Sequence, residues 1–216
     1  MNFFTASTLP AEISSRLPRS TDCPPFALRI DDRLHLRQLQ PADADELFRL
    51  VDANRSHLRQ WLPWVDGSVS PADSLAFIET TLQQAAERAG FQAAILCEGR
   101  IGGVIGHHRI DWHNRVTTLG YWLSEGSQGH GVMTAACSAA VAHAFETLGL
   151  NRVQIACATT NHRSRAIPER LGFTCEGISR DAEWLYDRFV DHAVYARLRR
   201  DLPAMNRTAG GGGEGS

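Results

Sequence analysis

The sequence predicts one α/β domain built on a mixed, mostly antiparallel sheet flanked by helices. Three observations lead there. Period-2 and period-3.6 apolar stretches alternate along the chain in the order β-α-α-β-β-β-α-β-α-β-β. A glycine-rich turn, Gln128-Gly129-His130-Gly131, joins an aromatic strand directly to a helix-forming run. The two ends lack either period: residues 1–22 are rich in Ser, Thr and Pro, and residues 202–216 run out in glycine. Both compositions are those of flexible segments, so the folded domain is expected over residues 23–201.

The first strand is read in "RLHLRQLQ", from Leu34, Leu36 and, less regularly, Leu39. Pro41 then opens a helix with Leu47, Leu50, Val51 and Leu58 on one face. "SPAD" at 70–73 supplies a Ser cap, a proline in the first turn and an acid at the third position, so a second helix starts there and runs to Gly90. Three strands follow at Phe91–Cys97, Ile101–Ile110 and Val116–Leu123, with turns at Glu98-Gly99 and His113-Asn114; they form an antiparallel meander. After the glycine turn, Met133, Ala136, Cys137, Ala140, Val141, Ala144, Phe145 and Leu148 make a buried helical stripe. "RVQIACATT" reads as a strand buried on both faces. Asn161–Leu171 is a short helix closed by Gly172, and two strands near 173–180 and 189–198 end the domain.

Composition excludes several function classes. With 43% hydrophobic and 21% charged residues, 216 residues suffice for one sizeable core. A net charge of −2 offers no global basic field for nucleic acid. No apolar run approaches the roughly 18–20 residues of a membrane span. The first twenty residues lack the basic start and apolar centre of a secretory signal. The five cysteines, Cys23, Cys97, Cys137, Cys157 and Cys175, are odd in number and form no CxxC; four sit in apolar periodic stretches. They are expected as buried reduced thiols of a cytoplasmic protein. The nine histidines show no metal spacing, and the adjacent His107 and His108 would point to opposite faces of a strand, so no metal is expected.

The glycine turn carries the chemistry. A helix start presents unpaired amides and partial positive charge, and glycine lets a phosphate approach them without any lysine. It is no Walker A loop, because no Lys-Ser/Thr follows, and it is not GxGxxG. Taken alone, the pattern is equally that of a plain strand-to-helix turn.

Gln128-x-x-Gly131-x-Met133 resembles the acetyl-CoA pyrophosphate loop Q-x-x-G-x-G/A of the GNAT N-acetyltransferases, and the element order is also theirs. Met133 at the last position departs from the motif in the manner of the RimJ/RimL-like branch, which acetylates ribosomal-protein N-termini. "LRQWLPWV" (58–65), "NHRSRAIPERLGF" (161–173) and "AEWLYDRFVDHAVYARL" (182–198) are similar to segments of that branch, so the resemblance spans about residues 26–200.

The resemblance implies a GNAT fold with acetyl-CoA as donor substrate, no metal, and the cofactor in the splay between the fourth and fifth strands read here, Val116–Leu123 and Arg152–Thr159. Backbone amides from Gly129 through His130, Gly131, Val132 and Met133 to Thr134, beside Gln128, would cradle the pyrophosphate. The edge of Trp122 and Leu123 would pair with the pantetheine arm, which Asn161 would also bond. Many GNAT enzymes protonate the leaving thiolate with a tyrosine five residues before the "GF" phenylalanine; here that position is Pro168, which has no proton to give. Ser164, one turn earlier, matches the serine that the branch uses instead, and Glu183 matches its general base acting through water. Arg163, Arg165 and Arg170 read either as partners of the adenosine 3′-phosphate or as solvated charge. Trp61, Trp64 and Trp184 are expected to wall the acceptor pocket. Cys157 has no His and acid at catalytic spacing and reads as core.

The expected acceptor is the N-terminal α-amine of a protein, with a ribosomal protein beginning in serine favoured. The alternatives are a small amine, an aminoacyl toxin or an antibiotic, or a non-catalytic acyl-CoA-binding module, which Pro168 keeps open. The resemblance also implies a cytoplasmic homodimer without direct contact to nucleic acid or membrane.

Overall fold

The computed structural model describes residues 26–202; the two end segments and Cys23 lie outside them. β1 (Ala27–Arg29) pairs antiparallel with β2 (Leu34–Gln38), Ala27 opposite Arg37. β1 is absent from the sequence reading, because three residues are too few to show alternation. Pairing with β2 defines it.

Pro41–Asp43 form a single 3-10 turn, pinned where Arg37 donates twice to the Asp43 carboxylate, at 2.6 and 2.8 Å. The helix expected from Pro41 to Leu58 is two helices, α1 (Ala44–Ala53) and α2 (Arg55–Leu58). Asn54 divides them: its backbone leaves helical angles, and its side-chain amide donates back to the Leu50 carbonyl at 2.8 Å. α3 (Pro71–Ala86) begins as read, with the Ser70 amide and hydroxyl both donating to Asp73, at 2.8 and 2.9 Å.

β3 (Phe91–Cys97), β4 (Arg100–Asp111) and β5 (Val116–Leu123) continue the antiparallel run begun by β1 and β2. α4 (Val132–Glu146) buries seven of the eight stripe residues; Leu148 lies past its end and is half-buried. β6 (Arg152–Ala158), α5 (His162–Arg170), β7 (Thr174–Leu185) and β8 (Arg188–Leu198) complete the domain. The described residues form one eight-stranded sheet in the order β1-β2-β3-β4-β5-β6-β8-β7.

Both faces of the sheet carry core. On one, Ala93 and Ile95 of β3 pack with Phe145 and Cys137 of α4. On the other, Ala94 packs with Leu47 of α1 and Ile78 of α3, as strand alternation requires. The expected two-sided burial of β6 is corrected: Val153, Ile155 and Cys157 are buried, but Ala156 is exposed. The reason is the loss of β5 as a neighbour beyond the first three pairs. The final hairpin is also longer than read, since bulges at Cys175/Gly177 and Ser179/Glu183 let pairing continue to Leu185. Cys175 lies on the exposed edge strand β7 and is not a buried thiol, whereas Cys137 and Cys157 are buried.

Candidate active site

β5 and β6 form the one parallel pair among the described residues. They are bonded only from Val116 opposite Arg152 to Thr118 opposite Gln154. From Leu119 onward β5 diverges from β6, while β6 remains paired with β8 along its whole length. With β1 counted, these are the strands between which the sequence placed the splay. Trp122 and Leu123 lie at its far end, where the backbone edge facing β6 has no strand partner.

The glycine turn crosses this opening. Gly129 and Gly131 have φ of +86° and +75°, a region in which other L-residues pay a steric cost. A Cβ at either would meet nothing within 4 Å, so the space before the backbone is open. Gly131 caps α4 and no side chain caps that turn, leaving the amides of Val132, Met133 and Thr134 available. Met133 is buried, so only its backbone faces the opening; His130 is exposed. The Gln128 side chain lies 2.7 Å from His57 Nε2, and its oxygen accepts from Arg163 at 2.9 Å. Arg170 donates to the Thr134 hydroxyl at 2.9 Å. Two of the three α5 arginines thus fasten the turn and the α4 start. Arg165 instead faces Tyr195 and the Thr159 carbonyl, at 3.0 Å each. Open glycine backbone, uncapped amides and adjacent guanidinium groups fit a phosphate-bearing ligand.

Asn161 caps α5 by accepting the Ser164 amide at 3.1 Å. Ser164 therefore sits in the first turn of α5, next to β6. Its carbonyl accepts from the Tyr121 hydroxyl of β5 at 3.1 Å, so the tyrosine spans the splay. The Cys157 thiol is pushed up by burial, an effect that the Ser164 hydroxyl and the Arg165 charge partly offset. That environment does not favour a thiolate nucleophile.

Glu183 lies elsewhere, on the β7 bulge, with one carboxylate oxygen 3.4 Å from His192 Nε2 on β8. Beside it, Trp184 packs edge-on against Phe189 at 4.8 Å, and both rings are about half exposed. The hairpin tip reaches back over the chain: the Tyr186 hydroxyl donates to the Leu62 carbonyl at 2.7 Å, and Arg59 stacks on the Tyr186 ring at 3.9 Å. "LRQWLPWV" and "AEWLYDRF" are thereby joined.

A cavity of about 470 Å³ opens on the α1–α3 face of the sheet, walled mainly by Leu47, Val51, Trp64, Phe77, His108 and Trp122, with Gly120 and Tyr121 beside them. Of the three tryptophans expected at an acceptor pocket, Trp64 lines it, 6.0 Å from Trp122; Trp61 and Trp184 do not. Its carboxylate, Asp73, is held below the usual range by the Ser70 hydroxyl and by the Val69 and Ser70 amides. His108 lies across Gly120, where a Cβ would fall 1.7 Å from its Nε2, and Gln92 meets its Nδ1 at 3.3 Å. His107 faces the other way into the core, as adjacent strand positions must.

Sequence reasoning missed Tyr121, Tyr186 and His108. The "GYWL" run was visible, but alternation cannot say which aromatic crosses a splay. Among the described residues no group of His, Cys, Asp or Glu is arranged to hold a metal, and no helix is long and apolar enough to cross a membrane.

Comparison with known proteins gives the same outline. Residues 33–174 match the model of the acetyltransferase (GNAT) domain. The Bacillus subtilis protein YdaF is 35% identical over 82% of this chain and 97% of its own. The ribosomal-protein-serine acetyltransferase of Escherichia coli is 29% identical over 79% of this chain and 96% of its own. Two solved structures align closely. RimL, a ribosomal L7/L12 alpha-N-protein acetyltransferase in complex with coenzyme A, has a TM-score of 0.78 at 27% identity, over 80% of this chain and 98% of its own. The microcin C7 self-immunity acetyltransferase MccE, in complex with acetyl-CoA and AMP, has a TM-score of 0.76 at 27% identity, over 79% and 95%. The strand splay, the uncapped glycine turn and these likenesses agree: the chain belongs to the GNAT family of acetyltransferases.

Proposed function

We propose that this protein transfers acetyl from acetyl-CoA to the N-terminal α-amine of a protein, with a ribosomal protein beginning in serine as the favoured acceptor. Transfer is direct, in a ternary complex. The observation that carries this reading is a β5–β6 splay flanked by an uncapped helix start and a serine hydroxyl on α5, with β5 also bordering a cavity whose one carboxylate is engaged by Ser70.

Gly129 to Thr134 hold the pyrophosphate through backbone amides, flanked by Gln128 and His130. The Trp122–Leu123 edge and Asn161 hold the pantetheine arm. The amine nitrogen attacks the thioester carbonyl carbon, the C–S bond breaks, and the thiolate takes a proton from Ser164. Glu183 receives the amine proton through water, and solvent returns one to Ser164, so amide and free thiol are the products. An α-amine with a pKa near ~8, against ~10.4 for lysine, needs only such mild base help. The apolar cavity, whose Asp73 is already committed, supports a peptide over a polyamine. Trp64 walls it, with Trp61 and Trp184 contributing when the peptide extends along the hairpin. The exposed edge strand β7, with its Ile178 and Trp184 and the adjoining Phe189 of β8 uncovered, supports a homodimer. The likeness to a microcin self-immunity acetyltransferase favours a small-molecule acceptor as the second reading.

The test is thiol release from acetyl-CoA with three acceptors: a peptide with free N-terminal serine, the same peptide N-blocked with an internal lysine, and a polyamine. Release with the first, lost in Glu183→Gln and Ser164→Ala, is expected. Release with the polyamine alone moves the protein to small-amine acetylation. Silence on all three with coenzyme A bound points to a binding module, and full activity in both variants removes the acid and base assignments.

A further inference from the structure

Pro168 stands inside α5, four residues after Ser164. In an α-helix the amide at that position donates to the Ser164 carbonyl, and proline has no amide hydrogen. The helix nevertheless continues to Arg170, and the freed carbonyl finds a donor on another element. Tyr121, on β5, donates its hydroxyl to Ser164 O at 3.1 Å. The Ser164 hydroxyl in turn donates toward the same phenol oxygen, at 3.5 Å. With the phenol proton committed to the carbonyl, the tyrosine oxygen has lone pairs left for the serine.

We propose that Tyr121 is a positioning residue for Ser164, and that Pro168 installs it by leaving the Ser164 carbonyl for Tyr121 to occupy. The inference rests on the reading of Ser164 as the thiolate's acid and goes beyond it: the proline at position 168, which has no proton to give, becomes part of the device. A free serine hydroxyl rotates among three rotamers, and a partner on each side of its residue narrows that choice. Asn161 fixes the Ser164 amide and Tyr121 fixes its carbonyl, so the first turn of α5 is held from both ends. On β5 the neighbours Gly120 and Trp122 border the cavity, while the Tyr121 side chain turns to the α4 face and Ser164, so the strand separates cavity from serine. Burial pushes the phenol up, far from the range of a working acid, so the tyrosine holds the serine without itself giving the proton.

The test is a double-mutant cycle on the full chain, read as Tm, kcat and KM with the peptide acceptor. Tyr121→Phe is expected to lower Tm by about 2–4 °C, since a carbonyl loses its partner. It is expected to lower kcat roughly tenfold with KM for acetyl-CoA within about twofold. Adding Pro168→Ala restores a helical amide to that carbonyl, so Tm recovers while kcat stays low. Recovery of kcat together with Tm reduces Tyr121 to a structural role and overturns the proposal. Tyr121→Phe at wild-type kcat, beside an impaired Ser164→Ala, also overturns it and leaves the acid assignment intact. Ser164→Ala at wild-type kcat removes the acid assignment and this inference with it. The Tm arm needs no acceptor, and a Tm that Pro168→Ala fails to restore removes the anchor outright.

Discussion

The Tyr186 phenol donates to the Leu62 carbonyl across 124 positions of sequence, at 2.7 Å. It ties the tip of the β7–β8 hairpin to the loop that carries Trp64 into the cavity wall. Tyr186→Phe removes that bond, worth about 1 kcal/mol, and leaves the ring under Arg59. KM for the peptide acceptor should rise about threefold to tenfold while KM for acetyl-CoA holds. Equal shifts in both constants would show that the hairpin does not act on the acceptor side.

The glycine turn predicts a different split. Gly131→Ala forces a side chain into φ of +75° at the cap of α4. Space is not the obstacle, since the added carbon meets nothing within 4 Å. The cost of about 1–2 kcal/mol is backbone strain, relieved by turning the amides away. Acetyl-CoA should bind roughly tenfold more weakly by calorimetry, with the acceptor's KM little changed. Unaltered affinity would mean that the amides of this turn do not hold the donor.

Stability should fall in mild acid. His107 on β4 and His143 on α4 pack around the Phe91 ring, at 4.9 and 5.6 Å. Burial holds them at about 3 and about 4, below the usual imidazole range. Both are neutral when folded, whereas the unfolded chain takes up protons near pH 6.5. Their contribution is complete above that value and is lost as pH falls toward 4 and then 3. The slope is up to about 1.4 kcal/mol per pH unit for each histidine. Urea unfolding between about pH 7 and pH 5 reads it, and His143→Leu should shallow the dependence. A variant with the wild-type slope would show that His143 takes no part.

Cys157 should prove dispensable for chemistry. Its thiol is buried against Ser164 and pushed up by desolvation. Cys157→Ala should cost about 1 kcal/mol of stability from the lost volume and keep kcat within about threefold. Mass spectrometry of the wild type with acetyl-CoA alone should find no acetylated enzyme. A stable acetyl-cysteine adduct would replace direct transfer by a two-step route.

The elements that were legible in the chain are those whose signal is local. Ser70 and Asp73 announce α3, the stripe from Met133 to Phe145 announces α4, and Gly129 and Gly131 mark a turn whose backbone needs glycine. Each follows from periodicity, capping or φ, which a few neighbouring residues set on their own. β1 was illegible because its partner defines it, and the break at Asn54 because one side chain competing for a backbone carbonyl leaves no mark on the apolar pattern. Candidate residues on one element, such as Asn161 and Ser164, could be paired from spacing alone.

The chain by itself therefore determined the element order from β2 to β8 apart from the break at Asn54, the glycine turn, and the family resemblance that named Ser164 and Glu183. Only the tertiary structure decided that Tyr121 crosses the splay to the carbonyl Pro168 leaves free, that Tyr186 clamps the Trp64 loop, and that Glu183 faces His192. The physical reason is reach. Local patterns fix torsions and faces, but a bond between β5 and α5 depends on where two strands stop pairing, and that is set by the whole sheet.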